Sequence, residues 1–325
     1  MAGNRRQKVR IALVGAGRMG TRWAAAIANS SVAELVSVDD SNRDAAKRTM
    51  KSYGTPGSEA KAALIVVPHK WLAHEARRAL KAGLHVLVEK PGAMSARAMR
   101  DLEKLAREKH RVLMVGFNYR YFAGIAKVKE LVGRGAIGKP IALRIRHGHA
   151  GRAGYGKEWR MDPNIAGGGV LMDQGVHLVD LALWLLPSPK WRAVGETGNE
   201  LLRKSAEDVA AVVMKNAGGQ VVSLFADIAE WEPLFSLEVI GSKGICRMSG
   251  LGRKYGNGEI VELVKPSNRG FTIKRFRYLG NAEKPLQSLL VDFVSSIRGK
   301  HIGPSADDAR RMLEVVEQIY RPRFK

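Results

Sequence analysis

Three ionisable residues interrupt the apolar stretch GGGVLMDQGVHLVDLALWLL, residues 167 to 186: Asp173, His177 and Asp180. If the stretch is one helix, they share a face, because positions three and four apart lie one above the other. An imidazole beside a carboxylate can take a proton from a hydroxyl, since histidine titrates near neutral pH. The structural alternative makes His177 a hydrogen-bonded core group, Asp173 an N-terminal helix charge and Asp180 a support. The three leading glycines admit close approach of backbone and substrate at the helix start. His147 and His149, two apart on an expected strand, join Asp173 and His177 as formal zinc ligands. Strand residues two apart share a face without having to point at the helix, so no metal is expected.

These groups need elements to position them, and the N-terminal third supplies a recognisable set. In VRIALVGAGRMGTRWAAAIA a buried strand pattern, Val9 to Val14, passes through Gly15, Gly17 and Gly20 into an alanine-rich helix. In that strand-turn-helix context, GxGxxG binds a dinucleotide. The first glycine makes the turn, the second lets pyrophosphate approach the backbone, and the third allows close helix packing. Asp40 ends the next strand, ELVSVDD, where a carboxylate can accept hydrogen bonds from a ribose diol. That favours NAD. Ser41 and Arg43 follow at once and can instead meet a 2′-phosphate, so NADP stays open. Gly20 is followed by Thr21 and Arg22 rather than Lys and Ser/Thr, which disfavours an ATPase-type phosphate loop.

Further strand and helix patterns alternate up to RVLMVGFN, implying a doubly wound parallel sheet whose ligands sit beyond the carboxyl ends of the strands. Lys90 and Asn118 fall at two such ends. After the helical pattern YFAGIAKVKELVGRG and the strand IALRIRHGHA, apolar runs between Trp191 and Ile273 alternate with glycine turns, as in an antiparallel sheet.

The bulk properties are compatible with two domains: 325 residues, 45% hydrophobic and 26% charged, with no low-complexity tract. The formal charge of +23 would attract anions, yet the charge is spread widely, its basic clusters lie mainly in the tails NRRQKVR and RPRFK, and no aromatic-interleaved basic stripe appears. A nucleic-acid partner is therefore not expected. Cys246 is the only cysteine, which excludes an intrachain disulfide and suits a reducing compartment. Arg5 and Arg6 precede an apolar run too short for an export signal, and no run reaches the ~20 apolar residues that span a bilayer. A soluble cytoplasmic protein is expected.

GAGRMG, HEARRALKAGLHVLVEKP, GFNYRY, EWRMDPNIAGGGVLMDQGVHLVD and SADDARRMLEVVEQIY, in this order, resemble the Gfo/Idh/MocA oxidoreductases over nearly the whole chain. The resemblance implies a dinucleotide-binding Rossmann domain at 1–120. It also implies a substrate-binding α/β domain at 121–325 with a large, mostly antiparallel sheet that mediates homo-oligomerisation to a dimer or tetramer. The last helices are expected to pack back on the first domain. It further implies an NAD(P)-dependent sugar or cyclitol dehydrogenase in which His177 is the general base, assisted by Lys90 and Asp173. The expected cofactor contacts are Gly15, Gly17, Arg18, Met19, Gly20, Asp40, Ser41, Pro68, Glu89, Lys90 and Asn118. The expected substrate contacts are Lys90, Arg120, Trp159, Arg160, Asp173 and His177.

Arg144, Arg146, Arg152, Lys157 and Arg160 raise the expectation of an anionic or nucleotide-linked sugar, against solvent-facing charge. Two other functions fit the same resemblance: an NAD-dependent glycosidase, and a non-catalytic dinucleotide-binding regulator.

Overall fold

A computed structural model describes residues 7–55, 59–202, 204–281, 283–300 and 302–321. Most of the basic tail residues, among them Arg5, Arg6 and Arg323, lie outside the described residues. Among the described residues no helix is long and apolar enough to cross a membrane. The chain divides into two compact units: everything up to Asn118 with Glu283–Arg310, and Tyr119 onward with the chain from Arg311.

The first unit alternates β1 (Val9–Val14), α1 (Arg18–Ala28), β2 (Ala33–Asp39), α2 (Arg43–Tyr53), β3 (Ala62–Ile65), α3 (His69–Lys81), β4 (His85–Val88), α4 (Ala96–Glu108) and β5 (Leu113–Val115). The strands form one parallel sheet in the order β2-β1-β3-β4-β5. β3 and β5 are buried along their whole length, as strands covered on both faces must be. On α1, Gly20, Trp23, Ala24 and Ile27 are buried at the spacing of one helical face. The connection from β1 runs outward to β2 at one edge of the sheet and those from β3 run outward to β4 and β5 at the other, with α1 packed against α2 and α3 against α4. A crevice therefore opens between β1 and β3, where the connections diverge. The helix Lys284–Ile297 belongs to this unit, and just beyond it the Val115 amide donates to the Pro304 carbonyl at 3.1 Å.

The second unit starts with α5 (Ala123–Gly133) and β6 (Pro140–Gly148). The short α6 (Pro163–Ala166), a π-helical turn at Leu171–Gly175 and α7 (Val176–Leu185) follow. Seven strands complete it: β7 (Trp191–Gly198), β8 (Val209–Asn216), β9 (Val221–Asp227), β10 (Leu234–Gly241), β11 (Gly244–Ser249), β12 (Glu259–Ser267) and β13 (Gly270–Tyr278). They form an eight-stranded sheet in the order β13-β12-β11-β10-β6-β9-β8-β7. Its one parallel pair is β6 with β9. The helical stretch between β6 and β7 provides the long connection that parallel pairing requires.

Burial alternates along β8 and through the middle of β6. Leu143, Ile145 and His147 of β6 point inward, while Arg144 and Arg146 point outward to pair with Glu238 and Glu230. α5 packs on β11, β12 and β13, and α7 on β6 and β9. The opposite sheet face leaves Val194, Val213, Val221 and Ile260 exposed.

Candidate active site

In the first unit the sequence-predicted cofactor residues all lie at the carboxyl ends of the parallel strands. Gly15 leaves β1, Asp40 leaves β2, Pro68 caps α3 after β3, Glu89 and Lys90 follow β4, and Asn118 follows β5. The glycine loop has the shape a dinucleotide needs. Gly15 has φ +105°, and a Cβ there would sit 2.2 Å from the Val66 carbonyl oxygen. A Cβ on Gly20 would lie 2.0 Å from the Gly15 carbonyl oxygen. A Cβ on Gly17 would meet nothing within 4 Å. The first and third glycines are demanded by the protein's own packing. The second leaves open space at the start of α1, whose N-cap, Gly17, makes no side-chain hydrogen bond. That uncapped helix start is where a pyrophosphate finds backbone donors and the positive end of the helix dipole.

Asp40 accepts from the Ala16 amide at 2.6 Å and the Asn42 amide at 2.7 Å, tying β2 to the glycine loop. Oδ1 also accepts from the Ser41 hydroxyl at 3.5 Å, and Oδ2 keeps a lone pair for a ribose hydroxyl. Behind Lys90, the Glu89 carboxylate accepts from the Trp23 indole at 2.7 Å and from the Lys90 amide at 3.2 Å. Trp23 is fully buried, so this carboxylate is anchored to the core of α1.

In the second unit the expected single helix divides. Leu171–Gly175 forms a π-helical turn and Val176–Leu185 an α-helix, and π-turns inside helices frequently mark functional sites. The glycines before it admit the protein rather than open space. A Cβ on Gly168 would strike the Tyr320 hydroxyl oxygen at 2.1 Å, and one on Gly169 the Glu207 backbone at 2.1 Å.

The three ionisable residues are all buried, and each has its own surroundings. The Asp173 carboxylate accepts from the Tyr155 hydroxyl and the Gln174 amide, both at 3.2 Å, and pairs with Arg160 Nε at 3.3 Å. The His177 ring lies flat on Tyr119, with centroids 3.9 Å apart and planes 5° apart. Asp180 takes both arms of the Arg120 guanidinium, at 2.9 and 2.5 Å. Arg120, expected among the substrate contacts, is instead buried with its fork on Asp180, so Asp180 pairs with Arg120.

Tyr119 continues the aromatic shell, its hydroxyl 3.0 Å from His147 Nε2. His149 and Tyr255 lie against His147, with centroids 6.0 and 4.7 Å away. Burial, reinforced by Lys254, holds both imidazoles neutral, pushing His147 down to about 3 and His149 to about 4. Burial likewise raises the Tyr119 and Tyr155 hydroxyls, and the Asp173 charge adds to both. The two histidines that the sequence offered as ligands are thus members of this shell. Among the described residues no group of three or more His, Cys, Asp and Glu side chains is arranged to hold a metal.

Trp159 lies under the Arg160 guanidinium at 4.5 Å, and Arg160 and Arg152 share Glu158. Arg144 and Arg146 face the other side of the sheet from His147, which removes them from the candidate pocket cations. Sequence reasoning missed Tyr119 and Tyr155. Each was visible only as an aromatic beside a named motif, Tyr119 between Asn118 and Arg120 and Tyr155 four residues before Trp159.

The comparisons with known proteins agree with this geometry. Residues 9–117 match the oxidoreductase family with an NAD-binding Rossmann fold, and residues 125–247 match the GFO/IDH/MocA C-terminal domain. The chain belongs to the Gfo/Idh/MocA oxidoreductase family, and its first unit is the NAD-binding domain. D-glucoside 3-dehydrogenase of Escherichia coli K12 is 29% identical over 57% of this chain and 56% of its own length. Inositol 2-dehydrogenase of Rhizobium meliloti strain 1021 is 25% identical over 96% of each chain. The solved structure of aldose-aldose oxidoreductase from Caulobacter crescentus superposes with a TM-score of 0.84 over 97% of each chain at 22% identity, a likeness of fold.

Proposed function

We propose that this oxidoreductase is a dehydrogenase acting on a secondary alcohol of a sugar, cyclitol or sugar derivative, with His177 taking the hydroxyl proton. The observation that carries this reading is the buried setting of Asp173 and His177. A base held in a dry, aromatic-lined site on a packed helix is positioned for one proton transfer rather than for solvent exchange. Bound NAD would supply the hydride acceptor. Asp173, fixed by Tyr155, Gln174 and Arg160, orients substrate hydroxyls or the imidazole. Lys90 is assigned to hydrogen-bond the reacting oxygen and stabilise it as charge develops, as the family resemblance implies. The first unit takes the cofactor role and the second, which starts at Tyr119 rather than at residue 121, takes the substrate role. The carboxylate of Asp40 supports NAD over NADP, because a 2′-phosphate would be repelled there.

The relatives that act on a glucoside and on inositol support a polyol substrate. Arg152 and Arg160 on the Asp173 side keep an anionic or nucleotide-linked sugar in view. A nicotinamide-absorbance screen tests the whole reading, with NAD and NADP offered separately against sugars, sugar acids, cyclitols and nucleotide sugars. Net NADH with at least one member is expected. Glycosidic cleavage without net NADH would replace it with the glycosidase reading.

The exposed sheet face, with Val194, Val213 and Ile260 between charged pairs, supports self-association. Light scattering should report a dimer or tetramer, and Val213→Asp should yield smaller particles.

A further inference from the structure

Tyr119 stacks its ring on that of His177, and its position is over-determined. Its ring also meets Phe122 and Phe235 edge-on, at 5.7 and 6.3 Å. Its hydroxyl lies 3.0 Å from His147 Nε2, and His147 is 1% exposed with Nδ1 buried and lacking a hydrogen-bond partner. The direction of the hydrogen bond follows from counting. If the phenol donates to Nε2, one buried polar atom, Nδ1, stays unmatched. If Nε2–H donates, the phenolic proton is unmatched as well. The phenol therefore donates, and donation makes its ring a richer π-face.

We propose that Tyr119, held by the acceptor nitrogen of His147, is the positioning residue of His177: its ring fixes the imidazole plane and stabilises the imidazolium formed when His177 takes a proton. This rests on the reading of His177 as the base. The physical basis is twofold. A flat contact at 3.9 Å and 5° leaves the imidazole no room to rotate about its last side-chain bond. A cation over an aromatic face is favoured most where water is excluded, and both rings are buried. No proton passes through the stack, because parallel rings present no hydrogen-bond donor to each other. His147 acts only by orienting the phenol.

Other charged and titratable groups face this pair. Asp173 lies on the π-turn, His149 just beyond β6, and Lys254 and Tyr255 between β11 and β12. Arg160 and Tyr155 stand behind Asp173. None of them is altered in the following test.

The full chain is labelled with nitrogen-15 histidine, and the imidazole titration of His177 is followed by NMR in the absence of substrate, its signal being assigned by its loss in His177→Gln. Removing the ring in Tyr119→Leu should lower the midpoint by about half a pH unit or more. Tyr119→Phe keeps the stack and should lower it by less. His147→Leu removes the acceptor and should match Tyr119→Phe. His147→Gln keeps an acceptor at the same reach and should stay near wild type. The pair His147→Leu with Tyr119→Phe should do no more than either alone, because both break one hydrogen bond.

A wild-type midpoint in Tyr119→Leu, or additive effects in the pair, would overturn the proposal. If Tyr119→Leu does not fold, judged by thermal unfolding and NAD binding, the Phe, Leu and Gln variants decide it alone. The titration is independent of turnover, so it can fail while His177 remains the base. Conversely, a His177→Ala variant that retains its rate rejects His177 as the base, whatever the titration shows of the stack in chains that keep the imidazole.

Discussion

In the first unit the candidate site is made mostly of backbone: two glycines in the turn after β1, a third in the first turns of α1, and the carboxylate that ties β2 to that turn. In the second it is made of side chains from distant positions, with Tyr119, His147, Asp173, His177 and Tyr255 meeting in one buried shell. A backbone site binds through donors that every residue carries, so its sequence signal is the absence of side chains at fixed places. A side-chain site depends on which faces its elements turn inward, and that is decided over more than a hundred residues of chain.

The strongest test of the contrast removes the base. His177→Ala is expected to lower turnover by about 10²–10⁴-fold while leaving NAD affinity unchanged, measured by initial rates and by fluorescence titration. A surviving rate would mean that the second unit's shell is structural.

Next is the ion pair beside that shell. Arg120→Ala leaves the Asp180 charge buried and should cost about 3–5 kcal/mol in denaturant unfolding, whereas Arg120→Met with Asp180→Leu should recover most of the loss. Equal damage in both variants would mean that Arg120 does more than neutralise Asp180.

The glycine loop offers a third comparison, between neighbours. Gly15→Val places a side chain into the Val66 backbone at a positive φ and should destabilise the first unit by roughly 2–4 kcal/mol. Gly17→Val has open space and should leave stability within about 0.5 kcal/mol while weakening NAD binding at least tenfold. Similar melting temperatures for the two variants would contradict the geometry.

The last comparison is the response to acid. His147 and His149 are neutral when folded, with values of about 3 and about 4, against about 6.5 when unfolded. Below pH 6.5 the unfolded chain binds more protons than the native one, so stability is present above that value and lost as pH falls towards 4 and then 3. Each histidine adds up to about 1.4 kcal/mol per pH unit inside its window. Unfolding series at pH 7 and pH 5 should show a shallower loss when both are replaced by Gln.

Much of the first unit was legible because its information is local. Gly15, Gly17 and Gly20 stand within six positions, and strand, turn and helix follow one another directly, so the pattern carries both the fold and the cofactor class. The stripe of Asp173, His177 and Asp180 was legible as a stripe, but not its separation into three environments. Nothing local reports that Arg120 lies against Asp180, or that the His177 ring lies on Tyr119, 58 positions away. Arg144 and His147 look alike as chemistry-bearing residues of one strand. The strand's two-residue alternation puts them on opposite faces, and the pattern alone does not say which face holds the site.

By itself, then, the sequence determined the parallel nucleotide-binding sheet, the antiparallel character of most of the second sheet, and the family. Each is encoded by periodicity or by short motifs whose parts are neighbours in the chain. Only the tertiary structure decided the partners of the buried charges, the inward face of β6, the π-turn that divides the Asp173 helix, and the placement of Tyr119 on His177. Those depend on side-chain packing between elements distant in the chain, where burial and close contact rather than local propensity set the outcome.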